Sequence, residues 1–295
     1  MSSSWYEILI EVTSDTKELI SERLFEIGAE GVNENVNKPN LLQVFFRADV
    51  KDSALLALEN EWNLWKEKFH NLPDFKVVPT QVRDENWSEA YKKYYVAQPL
   101  TDLFFLRPKW DTKTLIPNGM IPIVMDPGQA FGTGLHPSTK MCMKTIQSHI
   151  LENINKECLK CLDVGTGTGI LALAAYHLGV KQVEGIDNDP VAVQVAQENM
   201  ELNCVKGIDL SSKDIRELTP TYDFIISNIL LETHRELSSE YSRLISQGGL
   251  LLLSGLLGHQ KRELFDFILP LGFVNLESKN YQEWASFLFI KREEK

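Results

Sequence analysis

The hydrophobic positions change period along the chain, and the changes outline two domains. Residues 5–12 (WYEILIEV) alternate as a strand does. Asp15 to Gly28 carries Leu19, Ile20, Leu24 and Ile27 at helical spacing, with Gly28 as a stop. A short extended piece near Val32–Val36 is followed by a turn, Asn37-Lys38-Pro39-Asn40, and by a strand, LLQVFF. Asp52–Phe69 predicts a longer helix with Leu55, Leu58, Trp62, Trp65 and Phe69 on one stripe, and Phe75–Val82 a closing strand. The order β-α-β-β-α-β is that of the ferredoxin-like split βαβ motif, so residues 1–82 are expected to form a small α+β domain. Residues 83–97, with the aromatic-rich RDENWSEAYKKYY, are expected to be a linker helix.

From residue 98 the pattern is different. Residues 98–125 look extended and end in MIPIVM; strands and helices then alternate to the end of the chain. Strands are predicted near 159–164, 182–187, 208–212, 222–228, 249–254, 272–277 and 284–291. That alternation is the signature of an α/β domain with a mainly parallel sheet, here spanning 98–295.

Composition narrows the function classes. Thirty Lys+Arg against 41 Asp+Glu give a net charge of −11 over 295 residues, and 43% hydrophobic content is too apolar for a disordered chain. An acidic balance disfavours direct nucleic-acid recognition, which needs a basic face, and leaves room for a basic protein partner. The charge is uneven: residues 1–82 hold 14 acidic and 8 basic side chains, a net of −6. That excess fits either a module for capturing a cationic protein or helices with solvated acidic faces. MSSSWYEILIEV has no basic region followed by an apolar one, and Gly249–Leu257 is far shorter than the ~20 residues a membrane span needs. Four scattered cysteines fit a reduced compartment, so a cytoplasmic location and no membrane are expected. Cys158 and Cys161 form a CxxC without a second ligand pair, which reads as small apolar filler rather than a metal site.

The sharpest chemical signal is Asp163-Val164-Gly165-Thr166-Gly167-Thr168-Gly169, between a strand and the helix that follows. Its glycines allow a tight turn and close backbone approach by a ligand, although the third comes one residue early for the dinucleotide fingerprint. The next strand ends in Asp187, 22 residues after Gly165, where a carboxylate can accept both ribose hydroxyls. A nicotinamide dinucleotide remains the alternative ligand. Together, the D-x-G-x-G-x-G run and the strand-two Asp resemble the class I (Rossmann-like) S-adenosylmethionine-dependent methyltransferases. A second segment, Asp126 to Thr139 (DPGQAFGTGLHPST), places Phe131 between glycine turns, ahead of a helix. An aromatic can meet a sulfonium, and a helix N-terminus a carboxylate.

That segment resembles the corresponding loop of the ribosomal protein L-eleven methyltransferase (PrmA) family, and related protein-lysine methyltransferases share much of it. Glu85-Asn86-Trp87, Asn228-Ile229-Leu230 and Leu253-Ser254-Gly255 resemble further motifs of the family. The chain departs from it at the glycine loop, where GCGSG is usual, at Leu135, and at Leu231-Glu232, where small residues commonly follow NIL. The resemblance implies cofactor contacts at Thr139, Gly165, Asp187 and Asn228. Asp163, Gly167 and Phe131 belong to the same two motifs. Asp214 is either a partner for the adenine amino group or the N-cap of the short helix IREL. The implied activity is methyl transfer from S-adenosylmethionine to lysine side-chain and N-terminal amino groups of large-subunit ribosomal protein L-eleven, by a monomer whose N-terminal domain recognises the substrate. Asn228 is expected to orient the acceptor nitrogen while solvent takes its proton. His136 is a candidate base by position, but a loop histidine beside proline more often serves structure. The competing readings are a nucleic-acid amino-methyltransferase, which commonly carries an NPPY-like motif in place of NIL, a small-molecule methyltransferase, and a cofactor-gated binding factor without turnover.

Overall fold

The computed structural model describes residues 4–13, 16–29, 31–35, 38–47, 51–68, 80–83, 92, 95–126, 132–152, 158–219 and 221–292. The chain divides into two compact units, Met1–Tyr95 and Val96–Lys295.

In the first unit, β1 (Ser4–Glu11), α1 (Lys17–Glu26), β2 (Gly31–Asn35), β3 (Lys38–Arg47), α2 (Lys51–Lys68) and β4 (Thr80–Arg83) follow the expected order. The sheet runs β2-β3-β1-β4 with every neighbour antiparallel, which is the split βαβ arrangement. Ile8 stands opposite Val44 and Ile10 opposite Leu42, so alternate residues of both strands share one face. That face buries against Ile20 and Leu24 of α1 and Ala54, Leu58, Trp62 and Trp65 of α2. Leu55, expected on the buried stripe, only borders this core, because the stripe passes through Ala54 instead. The first part of the expected strand 75–82, Phe69 and most of the expected linker helix lie outside the described residues.

The second unit opens with β5 (Gln98–Pro99), β6 (Phe104–Pro108) and β7 (Ile121–Met125), a three-stranded sheet in which β6 and β7 are parallel. The segment expected to be extended throughout 98–125 is therefore interrupted between β6 and β7. There follow α3 (Pro137–Leu151), β8 (Lys160–Val164), α4 (Ile170–His177), β9 (Gln182–Ile186), α5 (Pro190–Leu202), β10 (Ile208–Ser211) and β11 (Tyr222–Asn228). The remaining elements are α6 (Leu231–Leu244), β12 (Ile245–Leu257), α7 (Lys261–Ile268), β13 (Phe273–Tyr281) and β14 (Trp284–Lys291). A seven-stranded sheet runs β10-β9-β8-β11-β12-β14-β13, parallel through β12, with β14 antiparallel to both neighbours. Strand order reverses between β8 and β11, and a crevice opens beyond their C-terminal ends at such a point.

β12 is longer than the expected 249–254. The expected strand begins at Gly249, but β12 starts at Ile245 and passes through a bulge: Gly248 has φ +73°, and pairing with β11 jumps from Ile245 to Leu250. Cys161 fills the core beneath β8 as expected, whereas Cys158 is exposed, because the chain has not yet entered the sheet there. Among the described residues no helix is long and apolar enough to cross a membrane.

Gly255 of β12 has φ +83°, and a Cβ there would lie 2.4 Å from the carbonyl oxygen of Ile229. Gly119 has a similar φ of +84° with nothing within 4 Å. Gly255→Ala is expected to cost about 3 kcal/mol or more, from strain plus a backbone clash. Gly119→Ala should cost only the left-handed backbone penalty of about 1 kcal/mol. Urea denaturation midpoints check this, and equal losses would refute the clash.

Candidate active site

The loop from β8 into α4 is a run of left-handed turns, with φ of +71°, +54° and +80° at Gly165, Gly167 and Gly169. The amides of Gly165 and Thr166 both donate to the Ile186 carbonyl at 2.9 Å, which straps the loop to the end of β9. A Cβ on Gly165 would sit 2.6 Å from the Ile229 side chain, so this position needs glycine for space as well as for φ.

Two carboxylates serve the loop differently. Asp163, near the end of β8, is buried; its Oδ2 accepts from Thr166 Oγ1 at 2.8 Å and from the Ala172 amide at 3.2 Å. Its Oδ1 is buried with no partner. Burial pushes the carboxyl up to about 7; the two hydrogen bonds oppose that rise, and the charge of Asp187 adds to it. Asp187, just past β9, accepts from the Gly167 amide at 2.9 Å and from the Asp189 amide at 3.1 Å. One amide on each oxygen leaves lone pairs for two further donors.

Asn228 ends β11 on the other side of the reversal. Its Nδ2 donates to Thr139 Oγ1 at 3.3 Å, and its Oδ1 is buried without a partner. Thr139 is fully buried in the first turn of α3. That turn is capped by His136, whose Nδ1 accepts from the Ser138 amide at 3.3 Å and lies 2.6 Å from Ser138 Oγ. Its ring packs edge-on against Trp284, with centroids 4.5 Å apart, and burial holds its pKa below the usual histidine value. The geometry gives His136 the structural role.

Asp214 caps the 3-10 turn Ile215–Glu217: its Oδ1 accepts from the Arg216 amide at 2.8 Å, its Oδ2 pairs with the Arg216 guanidinium at 2.9 Å, and the Asp214 amide donates to Glu217 Oε1 at 3.3 Å. The carboxylate performs the capping role open in the sequence. Leu231 is buried in the core while Glu232 is exposed, so the bulkier residue after NIL turns inward. Phe131 lies outside the described residues.

Sequence reading missed the residues that tie the second motif to the first. Thr168 Oγ1 donates to the Gly132 carbonyl at 2.6 Å, and Asn199 bridges the Thr168 carbonyl (3.0 Å) to the Asp126 amide (2.9 Å). Asn203, one turn further along α5, clasps both backbone groups of Val124 at 2.8 and 2.7 Å. The available signal was a pair of asparagines at i and i+4 beside the apolar Ala196 and Met200.

Asp163 Oδ1, Asn228 Oδ1 and Ser211 Oγ are three buried polar atoms without partners, at the C-terminal ends of β8, β11 and β10. Among the described residues a fourth such atom, His177 Nε2, lies apart from them at the end of α4. Leaving such an atom unpaired costs about 1–3 kcal/mol, so the three can meet the donors of a ligand. S-adenosylmethionine, with its ammonium, sulfonium and ribose hydroxyls, fits these residues.

The model of the ribosomal protein L11 methyltransferase (PrmA) family matches residues 4–292. The ribosomal protein L11 methyltransferase of Ruminiclostridium cellulolyticum is 34% identical over 315 aligned positions, covering 97% of this chain and 98% of that one. The Bacillus subtilis protein of the same name is 30% identical over 314 positions, covering 97% and 99%. Among solved structures, the ribosomal protein L11 methylase from Lactobacillus delbrueckii subsp. bulgaricus superposes with a TM-score of 0.61 at 26% identity, covering 67% of this chain and 99% of that chain.

Asp163 generates a prediction about stability. Folded, its carboxyl keeps a proton up to about pH 7; unfolded, an aspartate releases it near pH ~4. The folded state binds more protons across that window, so this group's contribution to stability falls as pH rises from about 4 to about 7. In ligand-free protein, Asp163→Asn should therefore gain several degrees of melting temperature over wild type at pH 8 and lose that advantage near pH 4. An advantage equal at both pH values would contradict the assignment.

Proposed function

The chain belongs to the ribosomal protein L11 methyltransferase family, and we propose that it transfers methyl groups from S-adenosylmethionine to lysine side-chain and N-terminal amino groups of that ribosomal protein. The observation that carries this reading is the unpaired, buried Oδ1 of Asn228, set beside the glycine loop at the strand-order reversal.

When bound, S-adenosylmethionine supplies a methyl carbon already activated by a sulfonium. The residues present have the simpler tasks of binding and orientation. The Gly165–Gly169 backbone accommodates the methionine portion, Asp187 takes the ribose hydroxyls, and Asp163 Oδ1 answers the positive charge. Asn228 Oδ1 accepts an N–H from the acceptor amine and turns its lone pair along the transfer axis, while Thr139 holds the amide the right way round. A lysine ammonium has no lone pair, so a proton leaves first, helped by desolvation. His136 already spends Nδ1 on its helix cap, so solvent takes that proton.

The net charge of −6 on residues 1–82 supports a role for this domain in capturing a basic substrate. We assign the remaining features the same way: a cytoplasmic monomer, with no direct nucleic-acid recognition.

Incubation with methyl-labelled S-adenosylmethionine and fractionated large-subunit proteins, followed by mass mapping, should place label on lysines and the N-terminus of one small basic protein. Label found only on nucleic acid or small molecules would sink the reading. Asn228→Ala should lower kcat by about 100-fold, well beyond any fall in cofactor affinity. Full-rate methylation by that variant removes Asn228 from the mechanism. Substrate association should slow as salt rises, and a salt-insensitive rate would refute capture by charge.

A further inference from the structure

Beneath the C-terminal ends of β8, β11 and β12 lies a buried polar chain made by His234, Tyr241 and Ser227. His234 on α6 is fully buried, with Nε2 2.9 Å from the Ser254 carbonyl of β12. Its Nδ1 lies 3.2 Å from the Tyr241 hydroxyl, which donates to Ser227 Oγ, also at 3.2 Å. Ser227 Oγ then donates to the Val164 carbonyl of β8 at 3.1 Å. The chain thus touches the last residue of β8, the residue before Asn228 in β11, and the residue before Gly255 in β12. Ser254 O also accepts from the Ile229 amide at 3.1 Å, so His234 shares its acceptor with the turn that carries Asn228.

Counting protons fixes the state of this chain. Ser254 O and Val164 O can only accept, so His234 donates from Nε2 and Ser227 from Oγ. Burial holds His234 well below its usual pKa, at about 4, against the pull of the Ser254 and Ile229 carbonyls. The neutral ring then leaves one hydroxyl proton, that of Tyr241, for two contacts of equal length. Buried groups are rarely left in such a shared arrangement by packing alone, since apolar residues would fill the space at lower cost.

We propose that His234, Tyr241 and Ser227 are positioning residues that hold the C-terminal ends of β8, β11 and β12 in register and so fix Asn228 against Gly165 for methyl transfer. This rests on the functional reading above. Its effect falls on alignment, hence on kcat, and not on cofactor affinity, which comes from groups the chain does not touch.

The test uses the full-length protein and two variants that preserve packing, Tyr241→Phe and Ser227→Ala. Each is expected to lower kcat about 10-fold while KM for the protein substrate and Kd for S-adenosylmethionine stay within about twofold of wild type. In an Asn228→Ala background Tyr241→Phe should add no further loss, because it acts through the same residue. Unchanged kcat in both variants, losses that add to that of Asn228→Ala, or a fall in cofactor affinity matching the fall in kcat would each overturn the proposal. Imidazole nitrogen NMR gives a readout independent of turnover: His234 should be the neutral Nε2–H tautomer from pH 8 to pH 5, and an Nδ1–H ring would overturn the chain of bonds even if the wild type proved inactive. Absence of methyl transfer by wild type, with the expected tautomer observed, would count against the functional reading and not against the chain of bonds.

Discussion

The larger unit depends on one pairing, that of β8 with β11. Their parallel ladder sets Ser227 beside Val164, so the next residues, Asn228 and Gly165, emerge together although 63 positions separate them in the chain. From there the connections leave in opposite directions, β9 and β10 to one side and β12 to the other. The turn after Asn228 has little freedom. A Cβ on Gly165 would meet the side chain of Ile229 at 2.6 Å, and one on Gly255 would meet its carbonyl oxygen at 2.4 Å. Ile229 is thus wedged between Gly165, just past β8, and Gly255 of β12, which restricts the turn that carries Asn228 while the side-chain bonds behind it complete its placement.

Onto that frame the protein places buried groups of opposite acid–base character, both neutral between about pH 4 and 7. Asp163 is raised to about 7 and His234 lowered to about 4, each mainly by burial. Asp163 loses its stabilising contribution as pH rises through that window. For His234 the loss comes as pH falls from the ordinary histidine range of ~6.5 towards its folded value. The two partly compensate, so the fold tolerates the window better than either group alone would allow. A cation beside Asp163 shifts the balance towards the carboxylate, which couples ligand charge to the ionisation of the site.

What was legible in the sequence follows from which signals are local. Glycine spacing and the strand-two Asp187 sit at the ends of apolar runs that periodicity locates, whereas Asn228 was singled out by the resemblance of Asn228-Ile229-Leu230 to a family motif. The start of β12 at Ile245, four residues before the expected Gly249, was not legible because only pairing with β11 shows that the strand runs through the glycine pair as a bulge. Asp214 shows an ambiguity in a side chain: an aspartate ahead of a short helix can cap it or face a ligand, and Arg216 and Glu217 complete the cap. Asn199 and Asn203 offered only their i, i+4 spacing beside apolar residues, which marks burial and not a partner. Their partners, Thr168, Asp126 and Val124, lie 31 to 79 positions away, and no local pattern announces a bond of that range.

Where the family usually has GCGSG, this chain carries threonines at 166 and 168, and both hydroxyls are bonded. Thr166 Oγ1 donates to Asp163 at 2.8 Å, and Thr168 Oγ1 to the Gly132 carbonyl at 2.6 Å. A serine in the second position could make the second bond. A cysteine in the first would offer a weak S–H donor where this chain places a hydroxyl on a buried carboxyl group. Thr166 therefore pulls Asp163 down towards ionisation more strongly than the usual residue would, in opposition to burial. The glycines shape the loop, but the side chains between them decide how much negative charge it presents to a cationic ligand.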